Sequence, residues 1–162
     1  MIILAVALVF YFLLGGVTAG PLYFLVAFPG IFLHEFAHWL VAVVTNGKPD
    51  GIHLIPKKEA NGDWTLGYVM FEPSWWNAGF VALAPLLLLP VAGVALYHQL
   101  QPPTVTGTIV GGYLLGCIAR GCAPSRADWS IAFRYPIGTA IILLGMAFVG
   151  QSFFERLRVL VS

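Results

Sequence analysis

The sequence predicts an all-α polytopic membrane protein: one membrane domain over residues 1–162, with about five transmembrane helices and a small membrane-associated β-hairpin between the second and third helices. Hydrophobic residues make up 59% of the chain and charged residues only 9%, against about 25% charged residues in ordinary soluble domains. A soluble globule of this length has too little interior for so much apolar surface. We therefore expect an integral protein of the cell or inner membrane.

The first two predicted spans cover about residues 2–17 and 22–44. No positively charged segment precedes the first span, so we expect a retained helix and not a secretory signal. Pro29 lies about one turn before His34 in the second span, where it is expected to kink the helix and open room beside that histidine.

Residues 46–76 form the one extramembrane segment of any size, and they hold all the lysines of the chain. The Asn61-Gly62 pair predicts a two-residue hairpin turn between strands at residues 52–55 and 64–71. The Trp75-Trp76 pair is typical of a membrane–water interface. We expect a β-hairpin lying against the membrane surface.

The third span, about residues 77–97, contains Pro85 and Pro90 and is expected to be bent or broken. Residues 120–134 are predicted to be a polar re-entry before the fifth span, at about residues 136–153.

The fourth span, about residues 105–119, is rich in glycine. Its small residues recur four apart, which lets another helix approach closely. That helix can belong to the same chain or to a second copy, so an oligomer through this span is one alternative. The two pairs are Gly107 with Gly111 and Gly112 with Gly116.

The second span contains an H-E-x-x-H motif at His34, Glu35 and His38. On a helix the two histidines project to one side, and Glu35 lies about 100° round from His34, where it can reach a water held by the pair. This arrangement suits Zn²⁺ with the carboxylate as general base. A carboxylate near mid-membrane costs at least ~2.5 kcal/mol, so three such residues in five positions favour a metal site. The alternative is a buried polar cluster that only ties helices together.

Five spans place the N-terminus, residues 46–76 and residues 120–134 on one side of the membrane, and the turn at residues 98–104 on the other. The first side carries six of the eight lysines and arginines, so the positive-inside rule predicts that the N-terminus and the hairpin are cytoplasmic. His38 lies about 10 Å below that face at ~1.5 Å per residue.

A catalytic zinc usually has three protein ligands, so a third is needed on the cytoplasmic side. Asp128 is the best candidate, because it stands where the chain re-enters the membrane. Its alternative role is a helix cap, since Ser125 and Asp128 fit a capping box. His98 lies on the far side and is excluded. The other candidates are Asp50, His53, Glu59, Asp63 and Glu72.

The apolar HExxH segment at residues 32–42 resembles the motif helix of the site-2 protease family of intramembrane zinc metalloproteases. Weaker likeness covers residues 76–78, the Ala84-Pro85 pair and residues 124–128. In that family a distal aspartate is the third zinc ligand, which implies this role for Asp128. Trp129 follows it here, where the family has glycine.

The predicted function is therefore an intramembrane zinc metalloprotease that hydrolyses a peptide bond of a membrane protein or peptide in or beside the bilayer. Glu35 is the expected general base, and the edge of the hairpin is expected either to hold an extended substrate or simply to cap the site. The net charge of +1 gives no reason to expect a nucleic acid. The predicted zinc ligands are His34, His38 and Asp128, and the candidate oxyanion or substrate contacts are Asn77 and Arg126.

Two other classes of function stay open. One is a non-hydrolytic, metal-binding membrane scaffold or complex subunit that retains the HExxH motif. The second is a redox protein with haem or a di-iron site. The chain has four histidines, fewer than a di-iron membrane oxidase needs, and neither His53 nor His98 lies at a depth suited to a second haem ligand.

Overall fold

A computed structural model describes residues 2–17, 20–98 and 104–161, so the predicted turn at residues 98–104 lies largely outside the described residues. The described chain is mostly helical and includes a small two-stranded antiparallel sheet, which confirms the predicted fold class in outline. A short 3-10 helix covers Ala84–Leu87. The strands are β1 (Lys57–Lys58) and β2 (Trp64–Thr65). The helices are α1 (Ile2–Gly16), α2 (Pro21–Val44), α3 (Ala78–Ala82), α4 (Leu88–His98), α5 (Val105–Gly121), α6 (Arg126–Arg134) and α7 (Pro136–Val161).

Fewer helices than the expected five are long and apolar enough to cross a membrane. Among the described residues α2 meets that standard alone, and α5 with α6 would make a second span if the pair, bent by 44°, is counted as one. The apolar helices α1 and the first part of α7, up to Phe148, are shorter. One or two of the described helices are thus clearly membrane-like, fewer than the five or so that the sequence predicted.

The third predicted span is broken around Pro85, as the sequence predicted. Helix α3 ends at Ala82, and the 3-10 helix at Ala84–Leu87 separates it from α4. Pro85 has no backbone N–H to continue the α-helical ladder, whereas Pro90 lies in the first turn of α4, where a missing N–H costs little. The predicted span at residues 77–97 is thus three short helical pieces.

The predicted polar re-entry at residues 120–134 is mostly helical. Helix α5 continues to Gly121, and α6 then begins at Arg126 after a sharp bend. The side chain of Ser125 accepts a hydrogen bond from the backbone N–H of Asp128, and the Asp128 carboxylate accepts one from the Ser125 N–H. This reciprocal pair satisfies the free N–H groups that start α6.

The hairpin is shorter than predicted, and its loop has three residues. The Glu59 N–H donates to Asp63 O at 2.8 Å, and the Gly62 N–H donates to Glu59 O at 3.0 Å. Gly62 has a φ of 90°, so the turn uses its freedom at positive φ in a three-residue loop in place of the expected two-residue turn. An isolated bridge joins His53 and Tyr68 beyond the two paired strands. Pro56, which cannot donate to a ladder, lies in the gap between them.

Glycines allow α5 to pack closely against α1. A Cβ on Gly112 would collide with Val6, and one on Gly116 would lie 2.9 Å from the carbonyl oxygen of Ala7. The Gly112–Gly116 pair therefore serves a contact within the chain.

A second close crossing joins α2 and α5. A Cβ on Gly30 would collide with the carbonyl oxygen of Cys117, and one on Gly121 would collide with the carbonyl oxygen of Gly30. The two backbones touch here because neither glycine has a side chain. This crossing lies about one turn from His34 and fixes the end of α5 beside it.

Candidate metal centre

The two histidines of α2 are held by backbone carbonyl groups of other helices. His34 Nδ1 lies 2.8 Å from Gly121 O, and His38 Nδ1 lies 2.7 Å from Val81 O. A carbonyl oxygen can only accept, so each ring donates from Nδ1. In the neutral form of each ring Nε2 then has a free lone pair, the state in which imidazole binds a metal.

Both carbonyl groups are available because the helical ladder is interrupted. An α-helix would pair Val81 O with the N–H of residue 85, but residue 85 is a proline. It would pair Gly121 O with the N–H of Ser125, but that N–H donates to Asp128 Oδ2 at 2.6 Å. Each break thus supplies one acceptor that orients one histidine.

The three predicted ligands are brought together. His34 Nε2 and His38 Nε2 are 3.1 Å apart, and Asp128 Oδ2 and Oδ1 lie 3.4 and 3.3 Å from them respectively. In a tetrahedral site with ligand distances of about 2.0–2.1 Å, neighbouring ligand atoms are roughly 3.3 Å apart. With both protons on Nδ1, the two lone pairs would repel each other unless a cation lies between them. The group therefore fits a small divalent ion.

Asp128 caps α6 and is also placed to act as a metal ligand, the two roles that the sequence offered as alternatives. Its Oδ2 accepts the hydrogen bond from Ser125 N and caps α6, while its Oδ1 faces the His38 ring. The residue is 8% exposed. The two functions are compatible because the carboxylate has two oxygens.

Glu35 lies beside the histidine pair and under the hairpin. It is 7% exposed, and a Cβ on Gly67 would come within 2.8 Å of its Cγ. The absence of a side chain at Gly67 is what lets the hairpin backbone cover the carboxylate so closely. Glu35, His34, His38 and Asp128 all line one cavity.

That cavity has a volume of about 810 Å³ and is lined mainly by α2, α5, α6 and the hairpin. Its size falls in the range of sites that hold a small ligand or a few residues of peptide, roughly 300–1,000 Å³. The hairpin contributes residues between Glu59 and Phe71, so it forms the cover of the cavity.

Of the two candidate oxyanion or substrate contacts, Arg126 lines the cavity and Asn77 does not. Arg126 is exposed at the start of α6 and lines the cavity. Asn77 is buried elsewhere: its Oδ1 accepts from Ser74 N at 2.7 Å and its Nδ2 donates to Glu72 O at 3.4 Å. Because these turn contacts occupy its amide, and Asn77 is outside the cavity lining, it does not reach the site.

The other candidate ligands do not join the three. Asp50 pairs with His53 at 3.1 Å. Glu72 pairs with Lys48 at 2.8 Å, and the hydrogen bond that Lys48 donates to this carboxylate, together with the negative charge, raises the pKa of the lysine. Glu59 and Asp63 line the cavity from the hairpin but accept hydrogen bonds within it.

Sequence reasoning missed four contributors to the site. The carbonyl groups of Val81 and Gly121 carry no side-chain signal, although the proline four residues after Val81 gives a hint of the first. Arg120 and Tyr23 also line the cavity. Arg120 lies in the last turn of the apolar helix α5, and an arginine at such a position is the signal that could have identified it.

No protein-family model matches this chain, and no curated protein or solved structure matches it either.

Proposed function

We propose that this chain is an integral membrane zinc metalloprotease that hydrolyses a peptide bond of a membrane protein or peptide in or beside the bilayer, as its resemblance to the site-2 protease family implies. The observation that carries the proposal is the paired Nε2 atoms of His34 and His38, both free to bind and both facing Asp128.

The exposed surface supports membrane insertion. Only 28% of the most apolar window of α2 is buried inside the protein, whereas the core helix of a soluble protein is mostly buried. Phe12 of α1, Leu25 of α2 and Ile141 of α7 are exposed apolar side chains. Such extensive apolar exposure is expected where lipid is the solvent. The short helix α1 would then span with the help of a locally thinned bilayer.

The proposed ligands are His34 Nε2, His38 Nε2 and a carboxylate oxygen of Asp128. When bound, Zn²⁺ supplies a Lewis acid that polarises a scissile carbonyl group and makes water more acidic. The carbonyl groups of Gly121 and Val81 hold the imidazole rings in place and keep their protons on Nδ1, which strengthens both rings as ligands.

Glu35 is the proposed general base. Its carboxylate takes a proton from the attacking water and passes it to the leaving amine. The hairpin backbone at Gly67 covers Glu35 and limits the water that reaches it. Arg126, at the cavity wall, is placed to contact the substrate. The free edge of β2 offers an extended substrate segment a partner for strand pairing.

The test is purified full-length protein in detergent micelles. We expect about one zinc per chain, and cleavage of a set of synthetic single-span peptides detected by mass spectrometry. Glu35→Gln should keep the zinc and reduce cleavage by about 10²–10⁴-fold, the usual contribution of a general base. Glu72→Gln, an exposed residue paired with Lys48, is the matched control and should leave both unchanged.

The second candidate is a metal-binding scaffold or complex subunit without hydrolytic activity. It is favoured by the tight cover over Glu35, which leaves little room for a substrate without movement of the hairpin. Zinc binding without detectable cleavage would support it. So would a cellular phenotype that Glu35→Gln does not change. A bis-histidine haem on His34 and His38 is excluded by geometry, because Nε2 atoms 3.1 Å apart leave no space for a porphyrin between them.

A further inference from the structure

Arg120 is a cation in the wall of the cavity that the proposed catalytic chemistry does not use. It lies in the last turn of α5, is half-buried, and lines the same cavity as His34 and Glu35. Within the described residues no carboxylate forms an ion pair with it.

Aromatic groups hold the guanidinium without neutralising it. The Tyr11 ring centroid lies 5.4 Å from Arg120 Cζ, and the hydroxyl groups of Tyr11 and Tyr23 are close to the guanidinium. Gly15 gives it room, since a Cβ there would be 3.3 Å from Nη1. A cation–π contact orients an arginine but leaves its charge unpaired. Two acids of the cavity lining, Glu59 and Asp63, are engaged within the hairpin.

We propose that Arg120 binds a carboxylate of the substrate and so sets the specificity of the proposed protease; this inference rests on that proposed function. The planar guanidinium matches a carboxylate with two parallel hydrogen bonds, and a partly dry site strengthens them. The carboxylate comes either from an acidic side chain or from a free C-terminus.

The position of Arg120 limits how far the carboxylate lies from the cleaved bond. The next residue along α5, Gly121, contacts His34 Nδ1 through its carbonyl oxygen at 2.8 Å, so the Arg120 backbone lies beside the proposed metal centre. The guanidinium lies near Tyr23, which precedes His34 by eleven residues on α2, about 16 Å along the helix at ~1.5 Å per residue. That distance is an upper limit, so the recognised carboxylate is expected within roughly five extended residues of the cleaved bond, at ~3.3 Å each.

The experiment measures binding, so that it does not depend on turnover. Fluorescently labelled apolar peptides would be bound to the Glu35→Gln protein in micelles, with and without zinc, and followed by anisotropy. One set carries a single Glu or Gln moved along the peptide. A second pair has neutral side chains and either a free or an amidated C-terminus. The first set reports an acidic side chain and the second a terminal carboxylate.

We expect one of the two sets to show about tenfold tighter binding of the carboxylate member, as a charge-assisted bidentate contact gives. Adding Arg120→Gln should reduce this ratio to about one, and Arg120→Lys should leave an intermediate ratio, because an ammonium group keeps the charge but not the fork. Arg134→Gln, at an exposed site outside the cavity lining, is the control and should keep the full ratio.

An equal affinity for both members of each pair would overturn the inference. So would a ratio that Arg120→Gln leaves unchanged. A purely structural clamp between α1, α2 and α5 would lower stability without changing the ratio, and Arg120→Lys reports this even if Arg120→Gln fails to fold. If the ratio depends on Arg120 while the wild-type protein cleaves nothing, the protease proposal fails and the carboxylate site stands.

Discussion

Pro85 leaves the carbonyl oxygen of Val81 without a helical donor, and His38 Nδ1 takes that place at 2.7 Å. A residue usually regarded as a helix breaker thus orients a proposed metal ligand on a different helix. The same interruption that divides the third predicted span creates the acceptor that the site requires.

Replacing Pro85 should therefore weaken metal binding from a distance. Pro85→Ala restores an N–H that competes for Val81 O, and His38 loses its fixed orientation. We expect zinc affinity, measured by competition with a chelator, to fall by about 10–100-fold, as for other losses of a group that supports a ligand. Pro90→Ala, in the first turn of α4, is the control. Equal affinities in the two variants would contradict the argument.

The two roles of Asp128 should separate by mutation. Asp128→Asn keeps an acceptor for Ser125 N but loses the negative charge, so we expect zinc binding to be lost with little change in unfolding temperature of the zinc-free protein. Ser125→Ala removes the hydroxyl acceptor at 3.2 Å from Asp128 N. It should cost about 1 kcal/mol of stability, typical of a lost cap, and leave zinc binding largely intact. The opposite pattern would refute the division between the two oxygens.

Substitution of Gly67 should alter peptidase activity, because a side chain there would press on Glu35. In Gly67→Ala the new methyl group would lie 2.8 Å from Glu35 Cγ, so the hairpin or the carboxylate must move. We expect unchanged zinc content and altered peptidase activity: a loss if Glu35 is displaced, a gain if the hairpin cover is what limits access. Gly145→Ala, where a Cβ would meet nothing within 4 Å, should leave activity unchanged. Wild-type activity in Gly67→Ala would show that the contact is unimportant.

Gly30→Ala should disrupt the crossing of α2 and α5. The added methyl group would collide with the backbone of Cys117, which cannot rotate away as a side chain can. Overpacking of this kind typically costs about 1–3 kcal/mol. We expect a lower unfolding temperature in micelles together with weaker zinc binding, since the Gly121 carbonyl group would leave His34. Stability equal to that of Gly145→Ala would contradict this role.

The sequence predicts the site better than it predicts the spans. Helical periodicity alone predicts that His34 and His38 share a face, and the position of Asp128 at the re-entry made it the best candidate for a third ligand. The structure brings these three residues together. The break at Pro85 and the short first helix were both expected; apolar composition does not report how many of the apolar segments form helices long enough to cross a membrane. Asn77 was placed in the site by analogy, but a local turn at Ser74 uses its amide.

The contacts that orient the histidines could not be read from side chains, because they are made by main-chain atoms of distant segments. Gly121 reaches His34 because Gly30 of α2 and Gly121 of α5 let the two helices touch. This contact depends on both helices and cannot be inferred from the sequence of either one alone. The hairpin likewise has the predicted turn residues, but Pro56 and the Asn61 side chain, which accepts from Asp63 N at 3.0 Å, shift its pairing.

The carboxylate of Asp128 would couple the bend after α5 to the proposed ion. Whatever tightens the first turn of α6 would also preorganise the three proposed ligands, and removal of the ion from zinc-bound protein should in turn speed amide hydrogen exchange at Ser125. Release of the ion would therefore loosen the bend between α5 and α6.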